Sequence, residues 1–350
     1  MHYPWRNLAA IKGHIFWRRT CGLSRHYPHC LTGIGVIPPG GFDDVVATLS
    51  ALFNSPFGPH ITFKGGTSLS KVWGAIHRFS EDIDITYDIR AFEPALVANA
   101  GGDVLPTTRS QVKHWSRVIR KDLEKWIKDE APPVVEAELS RAGFRARVHA
   151  ESEKLYVGYE SLFRGSGFVR PEVMVELGAR STGEPHVIRT VECDAAAHLP
   201  GIIFPQTHVK VMRAERTFWE KAIAIHVFCR QERRRGDRLS RHWYDLVRLD
   251  EAGLAERALS DYQLAISVAR HKTMFFSAKD VSGKFIDYQD AVSGDLQLVP
   301  SGNAYEMLAN DYAKMATDGM LLGKSEPFSV LMERCRLLEE KANSLRSGSE

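Results

Sequence analysis

"FKGGTSLSKVWGAIHRFSEDIDI", residues 63–85, sets a double glycine before a short apolar run and then two aspartates one residue apart. Working outward, the stretch predicts a short strand at 61–64, a turn at 65–66, a short helix at 67–73 and a second strand at 82–86. A glycine pair between strand and helix lets backbone N–H groups approach an anion closely, and the helix start adds partial positive charge. The spacing is neither the Gly-x-x-x-x-Gly-Lys-[Ser/Thr] loop nor the Gly-x-Gly-x-x-Gly dinucleotide signature. Alone, the pair reads more readily as an ordinary strand-to-helix turn.

Asp82 and Asp84 say more. Strand alternation puts both carboxylates on one face while Ile83 and Ile85 point into the core. Two carboxylates pointing together repel unless a cation sits between them, and Mg²⁺ takes oxygen ligands while sharing its shell with substrate phosphates. Further along, "PEVMVELGAR" (171–180) reads as a strand with Val173, Val175 and Leu177 on one side and Met174 and Glu176 on the other. Glu176 then completes a triad able to hold two ions, activating an attacking hydroxyl and stabilising a leaving pyrophosphate. The duller readings are a solvated strand end for the aspartates and a carboxylate satisfied by Arg180 for Glu176.

The 350 residues fit two lobes. Composition is that of a globular chain, 44% hydrophobic and 25% charged, with 46 basic against 43 acidic side chains and a net charge of +3. No global field draws a polyanion, so an anionic substrate would need local basic clusters such as 230–241. Five scattered cysteines make no disulfide framework and fit a reducing cytoplasm. Cys21, His26, His29 and Cys30 can be drawn as a zinc site but lack a paired C-x-x-C. No run approaches the ~20 apolar residues of a membrane span, and no secretory signal pattern is present, so the expectation is a cytoplasmic protein with no membrane partner.

Along the chain, residues 1–41 end in "PPGG" and read as an irregular N-terminal extension. "FDDVVATLSALF" (42–53) has helical spacing, 107–129 forms a long amphipathic helix interrupted at Pro132 and Pro133, and "ARVHAE" and "KLYVGYE" read as strands. From about 214 the character becomes helical: "AERTFWEKAIAIHVF", the basic run, "HWYDLVRL", and a final helix after Pro327 with Phe328, Leu331, Met332 and Cys335 on its apolar stripe. The division expected is 42–213 for one domain and 214–350 for a helical one.

These residues resemble the AbiEii/AbiGii-type nucleotidyltransferase toxins of the DNA polymerase β-like superfamily. The likeness rests on "KGGTSLSK" (64–71), "RFSEDIDI" (78–85), "WEKAIAIH" around Lys221, "SRHWYDLVRL" (240–249) and "NDYAKM", and covers roughly 42–343. It implies an α+β fold: a polymerase β-like nucleotidyltransferase lobe on a small mixed sheet, then a mainly helical C-terminal lobe. It implies metal binding by Asp82 and Asp84, with Glu176 standing where many members carry aspartate. It also implies nucleotide binding by Lys64, Gly65, Gly66, Thr67, Ser68 and Ser80, contact of Lys221 with the triphosphate, and a catalytic place for Asp245. The activity implied is Mg²⁺-dependent transfer of a nucleoside monophosphate from a nucleoside triphosphate to an acceptor hydroxyl. Transfer RNA or another RNA is the leading acceptor and an adjacent-gene antitoxin the leading protein partner. Two other classes stay open, an enzyme acting on a small-molecule or protein hydroxyl and a non-catalytic nucleotide-binding partner of a regulator. For Lys221 the plain alternative is the wet face of an amphipathic helix, and for Asp245 a local cap or salt bridge.

Overall fold

The computed structural model describes residues 35–36, 44–80, 82–101, 104–159, 172–194, 196, 202–232, 238–322 and 325–347. The cysteine and histidine residues weighed for zinc, and positions 233–237 of the basic run, lie outside them. In chain order the elements begin with β1 (Gly35–Val36), α1 (Asp44–Asn54), β2 (Ile61–Lys64), α2 (Gly65–Lys71) and β3 (Ile83–Asp88). Next come α3 (Ile89–Phe92), α4 (Pro94–Asn99), α5 (Arg109–Asp129), α6 (Ala131–Arg141), β4 (Ala146–Glu151), β5 (Lys154–Tyr159) and β6 (Glu172–Ser181). Then follow β7 (His186–Glu192), β8 (Ile202–Ile203), β9 (Gln206–Met212), α7 (Ala214–Gln231), α8 (Arg241–Glu251), α9 (Leu254–Ser260) and α10 (Tyr262–Phe275). The chain closes with α11 (Tyr288–Val292), α12 (Gly302–Thr317) and α13 (Phe328–Ser347). The fold is α+β.

Two compact units divide the chain. The first comprises residues 1–72, 80–92 and 118–211; the second comprises 73–79, 93–117 and 212–350.

The first unit is built on a seven-stranded sheet in the order β4-β5-β6-β3-β2-β9-β7. It is mixed, with β3 parallel to β6 and β2 parallel to β9, while β2–β3, β4–β5 and β5–β6 are antiparallel. Alternation sets its faces: Ile61, Phe63, Ile83, Ile85, Leu155, Val157, Val173 and Val175 are buried. Leu177, also buried, continues that row, so the even-numbered side chains of β6 take the other face, as the sequence pattern predicts. Fully burying one such aliphatic side chain contributes roughly 1.5–3 kcal/mol, and the repeated pattern fixes register because a one-residue slip would expose every one of them. On α1, Val46, Leu49 and Leu52 are buried. On α5, Ile119, Leu123 and Ile127 are buried, and Trp126 packs edge-on to Phe57 and Tyr87. Pro132 and Pro133 do not merely end α5: proline sits in the first turn of α6, where its missing N–H costs no helical bond.

The second unit is helical. Of its helices α7 is the most enclosed, with Phe218, Trp219, Ala222, Ile223 and Ile225 buried and the Trp219 indole donating to the Ala258 carbonyl at 3.0 Å. A helix buried nearly all round needs partners for its charged side chains, and Lys221 has one in Asp245. The α13 stripe of Leu331, Met332, Cys335 and Leu338 is core, as its periodicity predicts. Among the described residues no helix is long and apolar enough to cross a membrane.

Candidate functional site

Chemistry in the first unit gathers where β2 runs into α2 and β3 lies alongside. Lys64 is the extended cap residue, and Gly65 starts the helix directly, without a separate turn. Gly65 has φ +78°, the left-handed region that penalises any Cβ. A Cβ there would lie 1.8 Å from Asp84 Oδ2 and 2.6 Å from its Cγ. The glycine is therefore required twice, by its backbone and by the carboxylate packed against its Cα. Gly66 follows in the first turn.

Thr67 and Ser68 are fully buried. The Thr67 hydroxyl donates to the Asp82 carbonyl, so Ser80 Oγ, 2.9 Å away, is the donor to Thr67 Oγ1. The Ser68 hydroxyl donates to the Gly65 carbonyl at 2.8 Å. These hydroxyls tie the first turn of α2 to the start of β3.

Across the sheet the register aligns Lys64 with Asp84, Asp84 with Glu176, and Glu176 with Lys154. Asp82 and Asp84 are half-buried, and the intervening Ile83 is fully buried, as alternation requires. The Glu176 side chain is half exposed and pairs with Lys154, Nζ to Oε1 3.2 Å, rather than with Arg180. For the Lys154 ammonium, burial favours the neutral form, but the hydrogen bond and charge of Glu176, with help from Asp82, carry its pKa upward. Lys154 escaped the sequence reading; only the β5–β6 register brings it opposite Glu176. Among the described residues no group of three or more His, Cys, Asp or Glu side chains is gathered in a metal-holding cluster. Asp84 and Glu176 are cross-strand neighbours all the same. Cavities of about 260 and 930 Å³ lie around Phe144 and Arg145 and include none of the anticipated site residues.

In the second unit, Lys221 and Asp245 meet. Lys221 is 9% exposed, so it is not a wet-face lysine, and its Nζ lies 2.9 Å from Asp245 Oδ2. Asp245 is fully buried and is also clamped by Arg78, Nε to Oδ1 2.6 Å and Nη2 to Oδ2 2.8 Å. Burial pushes the Asp245 carboxyl up, but Arg78 and Lys221 overcome it and hold the carboxyl well below the usual range. His242, one turn earlier on α8, is kept neutral, first by burial and then by the charge of Lys221. Arg78 was inside the motif "RFSEDIDI" yet went unremarked, because nothing local links it to a carboxylate 167 residues away.

No curated protein matches the chain. A solved structure of a candidate nucleotidyltransferase from H. pylori is similar at 13% identity and TM-score 0.41, over 87% of this chain and 93% of that one. The family described as the nucleotidyl transferase AbiEii toxin of a type IV toxin–antitoxin system matches residues 47–334. With its glycine-started helix, its Asp-x-Asp strand and a family match over most of its length, the chain belongs to the AbiEii nucleotidyltransferase toxin family.

Proposed function

We propose that the protein transfers a nucleoside monophosphate from a nucleoside triphosphate to an acceptor hydroxyl, with release of pyrophosphate, as the toxin of a toxin–antitoxin or abortive-infection system. The observation that carries the reading is the packing of Asp84 against Gly65, in register with Glu176 on the neighbouring strand. That arrangement brings a carboxylate to the backbone where a nucleotide's phosphates would be received.

The donor set fits Mg²⁺: the carboxylates are hard oxygen ligands, the Glu176 side chain is half exposed, and Gly65 carries no side chain to crowd Asp84. Asp82 and Asp84 would hold the ion, with Glu176 beside them. When bound, Mg²⁺ supplies electrostatic stabilisation of charge on the phosphate oxygens. The remaining work belongs to the chain. Gly65 and Gly66 offer backbone at the helix start, Lys64 flanks it, and Thr67, Ser68 and Ser80 hold that turn against β3. Lys221 and Asp245 are assigned to the same reaction on their family motifs. For the acceptor, the 3′ end of transfer RNA is the first candidate, and the family's toxin–antitoxin setting implies a cognate antitoxin.

Incubation with each α-labelled triphosphate, total bacterial RNA and Mg²⁺, followed by sizing of the labelled product, tests the reading. Wild-type protein should label a discrete RNA band, and Asp84→Asn should lower the rate at least ~10²-fold, the scale of losing a key charged catalytic group. Equal labelling by both proteins removes Asp84 from the mechanism. No label on any acceptor with any triphosphate would leave a nucleotide-binding role only.

A further inference from the structure

We propose that Asp245 and Arg78 are positioning residues: Asp245 holds the Lys221 ammonium in place, Arg78 locks Asp245, and Asp245 itself neither binds metal nor transfers a proton. The proposal deepens the reading above for what Lys221 does, but the way Lys221 is held stands apart from it.

The geometry leaves Asp245 no capacity for other work. Its side chain has no exposure, Arg78 occupies both carboxylate oxygens in a bidentate fork, and Oδ2 is shared with Lys221. A general base must reach the proton it takes, and a metal ligand must offer a lone pair to an ion. This carboxylate is enclosed, and two cations already lie against it. Of the three charged groups, Lys221 is the most exposed, at 9% against 4% for Arg78 and none for Asp245. Lys221 is therefore the member that can reach outward.

Arg78 is itself braced. Its Nη1 donates to the Phe79 carbonyl at 3.1 Å, and the backbone around it is strapped on both sides. Phe79 N–H donates to the Met320 carbonyl at 2.7 Å, Leu322 N–H donates to the His77 carbonyl at 2.9 Å, and the Tyr244 hydroxyl donates to the same His77 carbonyl at 3.0 Å. All of these residues lie in the second unit. A fork fixed at its root fixes the carboxylate it grips, and through it the lysine.

A residue that acts only through Lys221 loses its effect once Lys221 is replaced, so the effects of Asp245→Asn and Lys221→Gln on the rate must be strongly non-additive.

The experiment is transfer kinetics of single and double variants of the full chain, in parallel with NMR of isotope-labelled lysine side chains, with Lys221 assigned by Lys221→Gln, Mg²⁺-binding calorimetry and thermal melting. Asp245→Asn and Arg78→Lys, which keeps the charge but loses the fork, should each move the Lys221 side-chain signal towards that of a mobile surface lysine. Each should cut kcat about 10²-fold, as misplacement of a catalytic group does, with little change in KM for the acceptor. Asp245→Asn in the Lys221→Gln background should lower kcat by less than about threefold further. Mg²⁺ affinity should not change in any variant. The proposal is overturned if Asp245→Asn leaves the Lys221 side-chain signal in place, if Asp245→Asn and Lys221→Gln lower kcat independently of each other, or if Asp245→Asn abolishes Mg²⁺ binding. Arg78→Lys keeps the test available where Asp245→Asn fails to fold. A wild-type protein that transfers from no triphosphate refutes the reaction, while the Lys221 signal in the variants still reports how that lysine is held.

Discussion

At the scale of the single residue, Gly65 shows how steric and conformational demands converge on one position. A substitution meets two penalties: about 1–2 kcal/mol for an L-residue in left-handed backbone, and displacement of the Asp84 carboxylate from a Cβ that would lie 1.8 Å away. Gly74 separates them, because it too has positive φ, +57°, but nothing lies within 4 Å of its Cβ position. Gly65→Ala should therefore lose transfer activity about 10²-fold as well as thermal stability, whereas Gly74→Ala should lose stability alone. Equal activity in the two variants would mean that Asp84 adjusts freely.

At the scale of the element, the strand row Lys64, Asp84, Glu176 and Lys154 sets two carboxylates side by side between two lysines. Asp84 and Glu176 are like charges in neighbouring strands, an arrangement that costs stability unless cations relieve it. Lys154 relieves part of it, from one side only, through a solvent-exposed pair worth at most ~1 kcal/mol. If Glu176 is a metal donor, Lys154 competes with the ion for it. Lys154→Met should then lower the Mg²⁺ concentration for half-maximal transfer, by no more than about fivefold given that ceiling. An unchanged Mg²⁺ requirement would return Glu176 to the role of ion-pair partner.

At the scale of the whole molecule, buried groups of the helical unit make folding sensitive to acid. His226 is 1% exposed, its Nδ1 accepts from the Gln297 N–H at 3.1 Å, and burial lowers its pKa to about 4. A histidine depressed in the folded state binds its proton more readily when unfolded. Its contribution is therefore complete above the unfolded pKa near 6.5 and is lost as pH falls toward 4, up to about 3 kcal/mol. His242, also depressed, adds to the loss in the same direction, and Asp245 contributes a further loss below about pH 4, where the unfolded carboxyl begins to protonate. Denaturant melts between pH 7 and 4 should show falling stability, and His226→Asn, which keeps an acceptor for Gln297 without titrating, should flatten the curve. A slope identical to wild type would assign the acid sensitivity elsewhere.

What the sequence determined by itself was local and periodic. Ile83 and Ile85 had to point away from Asp82 and Asp84, because a strand alternates whatever surrounds it, and the same rule put Glu176 opposite Val175 and Leu177. The stripes of α5 and α13 followed from the 3.6-residue turn. β9 carries the same kind of signal, with Thr207, Val209 and Val211 buried in alternation, and was legible though unread; β7 buries Val191 alone near its end and offers little pattern. Tertiary structure decided which charges meet. The pairing of Glu176 with Lys154 depends on a hairpin register, and that of Asp245 with Arg78 joins positions 167 residues apart. Neither contact has a local signature, since a charged side chain is soluble anywhere along a chain and acquires a partner only when burial makes solvation too costly to forgo one. Lys221 shows the boundary most clearly: its motif marked it in the sequence, but only the enclosure of α7 turned it from a surface lysine into a buried cation held by Asp245.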